Sequence, residues 1–163
     1  MVRIYLASPL GFADSTRHFM AHLIERLAPH VDVSNPWDDT RFVGEFARIA
    51  GIDSRAEANA ALAAINTELG RANAESIRNA DGVVAILDGV DVDSGTASEI
   101  GYAFAMGKRC YGLRTDFRLA GDNPGSIVNL QVQYFIEASG GSVEITVEGL
   151  LSALRPWLDA AGH

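Results

Sequence analysis

Two carboxylates six residues apart, Asp93 and Glu99, stand in the segment Asp93-Ser-Gly-Thr-Ala-Ser-Glu99. It follows the apolar run Val83-Val-Ala-Ile-Leu87 and opens a helical pattern over Thr96–Gly107. An apolar run of this length ahead of turn residues reads as a buried strand. Ligands of open α/β sheets collect beyond the carboxyl ends of such strands. One acid therefore falls in a loop at the ligand-binding edge, the other in the first turn of the next helix. Paired carboxylates are the usual equipment for chemistry at a sugar's anomeric carbon, so these positions imply glycosyl transfer or glycosyl hydrolysis.

Glu99 also has a purely structural reading. Thr96-Ala-Ser-Glu99 fits a capping box, with Thr96 as N-cap and the Glu99 carboxylate reaching back to its N–H. A calcium loop starting at Asp91 fails, because its fifth position is Gly95 and its twelfth is Tyr102. Magnesium on one or two of these acids is compatible with the sequence, but nothing requires it. His18 and His22 are four apart on a helix, yet Phe19 stands where a zinc protease needs Glu, so they read as solvated histidines.

The elements that must position the acids alternate between strand-like and helical patterns, which points to a mainly parallel sheet covered by helices. Val2–Ala7 reads as the first strand and His30–Ser34 as the second. The Gly82–Leu87 run is the third and Arg109–Leu113 the fourth; Gln133–Glu137 is assigned as the last. Helical patterns cover Thr16–Ala28, Glu57–Arg78, Thr96–Met106 and Val147–Leu158. Between Asn35 and Ser54 the pattern is irregular, and a connection of that length in a compact domain is usually functional or mobile. A flavodoxin-like (Rossmann-like) α/β three-layer sandwich with a five-stranded sheet and right-handed crossovers follows.

The chain has 163 residues, the length of one domain spanning 1–163, able to bury about 70% of its unfolded surface. A net charge of −8 argues against binding nucleic acid, which needs a basic face. The single cysteine, Cys110, lies in an apolar segment and reads as a core residue. No signal-peptide pattern and no run of about 18 apolar residues occur, so a cytoplasmic protein without a membrane span is expected. Neither G-x-G-x-x-G after the first strand nor G-x-x-x-x-G-K-[ST] is present, which sets dinucleotide and triphosphate folds aside.

Four segments together carry a specific resemblance. They are Ile4-Tyr-Leu-Ala-Ser-Pro-Leu-Gly-Phe12, Asn73-Ala-Glu-Ser-Ile-Arg-Asn-Ala-Asp81, Asp93 through Lys108, and Val128-Asn-Leu-Gln131. In this order and spacing the chain resembles the nucleoside 2-deoxyribosyltransferase family over most of its length. The resemblance implies that Glu99 is the nucleophile that attacks C1′, that Tyr5 holds its carboxylate, and that Asp93 contacts the sugar hydroxyls. It implies further that Phe12 packs against the base, that Gly95 belongs to the substrate-binding loop, and that Asn129 and Gln131 serve the 5′-hydroxyl of a neighbouring subunit's substrate. Asn73 falls where some members carry an aspartate that handles the base's proton, a role an amide cannot play. Proton delivery is left open between water bound at Asn73, Asp93 and Asp38. A helix N-terminus would favour the ionised Glu99 a nucleophile needs.

The implied partners are 2′-deoxynucleosides and free purine or pyrimidine bases, with no cofactor or metal, in a homo-oligomer with shared sites. Within the same fold, a 2′-deoxynucleoside 5′-monophosphate N-glycosidase is the alternative, with Ser8, Ser94 and Arg17 as candidate phosphate contacts. A cytokinin-type phosphoribohydrolase shares only Gly95, Thr96 and Glu99 of its loop. A non-catalytic nucleotide-binding module would have no use for two acids and a tyrosine at one sheet edge.

Overall fold

The computed structural model describes residues 1–161. Its strands are β1 (Arg3–Ala7), β2 (Asp32–Ser34), β3 (Gly82–Ile86), β4 (Arg109–Leu113) and β5 (Val143–Glu144). All neighbours pair in parallel, in the order β2-β1-β3-β4-β5, which is the flavodoxin-like arrangement. The helices are α1 (Asp14–Leu27), α2 (Val43–Ala50), α3 (Arg55–Asn79), α4 (Ser94–Ala105), α5 (Leu130–Ala138) and α6 (Val147–Ala161).

Alternation along the strands divides the core into two layers. Ile4 and Leu6 of β1, Val84 and Ile86 of β3, and Tyr111 and Leu113 of β4 face α1 and α6, where Leu23, Leu27, Leu150 and Leu154 meet them. Tyr5, Ala7, Val83, Ala85 and Cys110 face the other way, against Ile77 of α3, Ile100 of α4 and Ile136 of α5. Cys110 is buried there, as a core residue would be.

The last strand is not where the sequence pattern puts it. Gln133–Glu137 lies within α5, and the fifth strand is the two-residue β5. Asn129 caps α5, Val132 and Ile136 bury one helical face, and the Gln133 amide donates to Glu137 one turn later at 2.8 Å. The chain then turns at Gly140, whose φ is +88°, and at Gly141, where a Cβ would fall 1.7 Å from the Cys110 carbonyl. Nor is 35–54 irregular throughout. Two 3-10 turns, Pro36–Asp38 and Thr40–Phe42, lead into α2.

β1 and β3 are paired from Ile4↔Gly82 to Ala7↔Ala85, so the loops that follow them leave the same sheet edge side by side. The loop after β3 is tied down by Arg114, which is buried. Its guanidinium donates to the carbonyls of Leu87, Gly89 (3.0 Å) and Arg118 (2.7 Å). Asp88 completes the tie by accepting from the Thr115 hydroxyl at 2.6 Å and the Asp116 N–H at 2.8 Å. The backbone that delivers Asp93 and Glu99 is thus anchored to the neighbouring strand's loop.

In β3, a Cβ on Gly82 would meet the Arg109 carbonyl at 2.7 Å and the Trp157 ring at 2.6 Å. Because one obstacle is backbone of the adjacent strand, Gly82→Ala should cost about 1–3 kcal/mol through overpacking. Urea unfolding would show it as a lower midpoint at unchanged slope; an unchanged midpoint would mean that β3 and β4 are not packed this closely.

Candidate active site

The cap of α4 is Asp93, not Thr96. Its Oδ2 accepts from the Thr96 N–H at 2.9 Å and from the Thr96 hydroxyl at 3.3 Å. The helix therefore starts at Ser94, two residues ahead of the sequence-based start, and Glu99 is its sixth residue. That removes the capping-box reading, because the Glu99 side chain has no cap to close. It bonds across the fold instead.

Tyr5 lies on the face of β1 opposite Ile4 and Leu6, fully buried, and its hydroxyl donates to Glu99 Oε1 at 2.6 Å. From α3, the Asn73 amide Nδ2 donates to the same oxygen at 3.4 Å. Burial raises the Glu99 carboxyl above its ordinary value; the Tyr5 hydrogen bond pulls it down, and the charge of Asp93 pushes it up again. Expected stabilisation by the helix end gives way to desolvation, since Glu99 sits past the first turn. Burial and the Glu99 charge push the Tyr5 phenol far upward, so it remains a donor.

Glu99, Asn73 and Asp93 lie on the wall of a cleft of about 540 Å³, with Tyr5 buried behind Glu99. Asp93, Gly95, Thr96 and Glu99 form one side, Ser8 and Phe12 the end of β1, and Asn66, Leu69 and Asn73 the α3 side. The roof comes from the segment 36–46: Pro36, Trp37, Asp39, Phe42, Val43 and Phe46. Trp37 is placed by its indole N–H, which donates to the Ser8 carbonyl at 2.8 Å, and by edge-on contact with Phe12 at 4.6 Å between centroids. Gly11 is obligatory beneath it, since a Cβ there would fall 2.0 Å from the indole ring.

Phe12 is 77% exposed and Val43 62%, and Trp37 and Phe46 are also exposed. Apolar side chains held open around a cleft are the pattern of a candidate binding surface.

Five of the residues singled out in the sequence thus line one cleft, Phe12, Asn73, Asp93, Gly95 and Glu99, and Tyr5 joins them from behind through its bond to Glu99. Asn129 and Gln131 are not on its wall. Asn129 caps its own helix, its Oδ1 accepting from the Gln131 N–H at 3.0 Å and the Val132 N–H at 3.3 Å. Asp38 is also off the wall; the acid facing the cleft from that turn is Asp39. Arg41 holds the Asp39 carboxyl below the usual range through its guanidinium, with an Nη2 contact of 2.6 Å. Of the candidate phosphate contacts only Ser8 reaches the cleft, and Arg17 instead pairs with Asp14 at 3.5 Å.

Trp37, Phe42, Val43, Phe46, Asn66 and Leu69 went unread in the sequence. Two signals were present. Phe42 and Phe46 are four apart, and Asn66, Leu69 and Asn73 recur at i, i+3 and i+7, which puts each set on one helical face.

Comparison with known proteins bears on the family and the fold. Residues 4–131 match the family model for nucleoside 2-deoxyribosyltransferases. The structure is similar to a conserved protein from Enterococcus faecalis, with a TM-score of 0.66 and 25% identity, over 96% of this chain and 98% of that one. It is similar to the 2-deoxyribosyltransferase from Leishmania mexicana, at TM-score 0.65 and 21% identity over 94% and 97% of the two chains. A CMP N-glycosidase from Clostridium botulinum shares the fold at TM-score 0.53 and 20% identity, over 95% and 98%. No curated protein matches the sequence. With the family model covering most of its length, the chain belongs to the nucleoside 2-deoxyribosyltransferase family.

Proposed function

We propose that this protein exchanges the base of a 2′-deoxynucleoside, through a covalent deoxyribosyl ester on Glu99 and with retention of configuration. The observation that carries the reading is a half-buried carboxylate, anchored by a buried phenol at 2.6 Å, on the wall of a cleft roofed by aromatic rings. The rings of Phe12, Trp37, Phe42 and Phe46 offer faces and edges for a base. Asp93 and Glu99 supply negative charge where positive charge develops at C1′.

In the first step a lone pair of the Glu99 carboxylate forms a bond to C1′. The C1′–N bond breaks toward the base, whose nitrogen takes a proton from water. In the second step a nitrogen of the incoming base attacks C1′ and loses its proton to water, and the ester bond breaks to regenerate the carboxylate. Two displacements at one carbon restore the original configuration. The missing 2′-hydroxyl makes the cation easier to form.

A nucleoside fits this cleft better than a 5′-monophosphate. No Lys, Arg or His lines it among the described residues, whereas Asp39, Asp93 and Glu99 do. The Asp93 carboxylate also occupies the α4 N-terminus, the place where a phosphate would otherwise be received. Asn129 and Gln131 complete the site only if a second copy brings them to it, so the reading includes a homo-oligomer with an isologous contact.

The direct experiment incubates the protein with deoxyinosine and adenine. Deoxyadenosine should form; release of free base alone would make the protein a hydrolase, and deoxynucleotides turned over faster than nucleosides would favour the phosphate-binding alternative. Glu99→Gln should lower exchange by roughly four to six orders of magnitude. The same substitution should stabilise the fold at neutral pH. The Glu99 carboxyl binds its proton more tightly when folded, so wild-type stability falls as pH rises from its ordinary value of 4.5 through the raised one, and the amide escapes that loss. A Glu99→Gln variant that stays active would end the assignment.

Tyr5→Phe removes a charge-assisted hydrogen bond of about 1.5–3 kcal/mol, so kcat/KM should fall roughly 10- to 150-fold and its acidic limb should move to higher pH. Mixing Glu99→Ala with Asn129→Ala subunits tests the shared site. Recovered activity is expected, and its absence despite verified subunit exchange would keep Asn129 out of the site.

A further inference from the structure

We infer that the Ser8 hydroxyl donates a hydrogen bond to the base, which makes Ser8 a further substrate-binding residue of the cleft. The inference rests on the proposed base exchange. Ser8 follows β1 and lines the cleft with only 7% of its surface exposed. Its Oγ accepts from the Leu10 N–H at 3.1 Å, the next N–H along the chain, since Pro9 has none. That bond fixes the oxygen and leaves the proton free to turn. Among the described residues the proton reaches no protein acceptor.

The same residue places the roof. Its carbonyl accepts from the Trp37 indole N–H at 2.8 Å, and Trp37 meets Phe12 edge-on at 4.6 Å between ring centroids. A planar base held against these two rings lies beside Ser8. Its rim carries ring nitrogens or carbonyl oxygens that accept a hydrogen bond. A 5′-phosphate is the poorer match for this hydroxyl, because no cation lines the cleft wall among the described residues.

The other donors on the wall are committed or exposed. Asn73 Nδ2 is directed at Glu99 Oε1 at 3.4 Å and the Thr96 hydroxyl at Asp93 Oδ2 at 3.3 Å, while Asn66 lies on an exposed turn of α3. When the C1′–N bond breaks, its electron pair moves onto the base, in a cleft whose acids oppose further negative charge. An uncharged donor receives that charge without pairing with the Glu99 carboxylate, as a cation in the cleft would. Ser8 keeps its proton throughout, and the leaving nitrogen takes its own from water. In the second step the same bond orients the incoming base toward C1′.

Exchange onto adenine and onto its 1-deaza, 3-deaza and 7-deaza analogues tests this in wild type and Ser8→Ala. Each analogue replaces one ring acceptor by C–H. Ser8→Ala should lower kcat/KM for adenine roughly 3- to 30-fold. One analogue should carry a penalty in wild type that largely disappears in Ser8→Ala, because both changes remove the same bond. Penalties that are equal in the two proteins for every analogue would leave Ser8 with only the turn at Leu10 to hold, and that result overturns the inference. A Ser8→Ala loss seen with deoxyinosine 5′-monophosphate and not with deoxyinosine would give the hydroxyl to a phosphate, and overturns it as well.

Calorimetric binding of adenine and the same analogues repeats the comparison without turnover, and the analogue singled out in wild type should bind Ser8→Ala as well as adenine does. Should the alanine variant not fold, Ser8→Cys, a weak donor of similar shape, provides the same comparison. Failure of the proposed exchange would appear separately. A wild type that binds these bases but transfers sugar to none of them contradicts that reading, while the pattern of analogue binding still decides the role of Ser8.

Discussion

Glu99 is a carboxylate drawn partly out of water, and burial alone favours its protonated form. The nucleophilic role proposed for Glu99 nevertheless requires it to be ionised. The short hydrogen bond from Tyr5, 94 residues away in the chain, opposes the cost of burial. That bond needs β1 and β3 to be neighbours, with Tyr5 on the sheet face that α4 covers. It also needs the α4 helix to start where Asp93 caps it, so that Glu99 falls past the first turn and points toward β1 instead of back to its own backbone. The parallel strand order, the Arg114 tie and the Asp93 cap all serve one carboxylate.

The cleft walls divide the remaining work. Aromatic rings from the segment 36–46 and from Phe12 provide an apolar slot, and Asp93 and Glu99 provide a negative lining beneath it. In the proposed function such a slot receives uncharged planar bases and repels phosphates. In the proposed reaction, exchange and hydrolysis differ only in whether a base or water attacks C1′ in the second step, and rings holding an acceptor base against the ester would favour the base. Belonging to the family does not decide between these outcomes, and a glycosidase with the same fold shows that the scaffold accommodates hydrolysis.

Much of this arrangement is legible in the sequence, where local pattern and tertiary role coincide. β1, β3 and β4 are apolar runs bounded by turns, and they lie within a residue or so of where the pattern puts them. Tyr5, Asp93 and Glu99 are found through their motifs. Legibility fails where one pattern has two readings. Gln-Tyr-Phe-Ile-Glu is rich in strand-favouring residues, yet Asn129 caps a helix and Val132 pairs with Ile136 across a turn of it. Thr96 and Asp93 are both good caps, and the one that leaves Glu99 free wins. The cleft roof was unreadable for a different reason. Its short helix and 3-10 turns are held by contacts such as that of Trp37 with the Ser8 carbonyl, which no local pattern records.

The ester on Glu99 is the account's central claim, and trapping it is the most direct test. The protein would be incubated with deoxyinosine while the released hypoxanthine is removed enzymatically, so that no base remains to take the sugar back. After acid quenching and peptic digestion, mass spectrometry should find one deoxyribosyl group on the peptide containing Glu99, and adenine added before the quench should clear it. Rapid base exchange with that peptide unmodified, and with inverted configuration at C1′ of the product, would contradict the account.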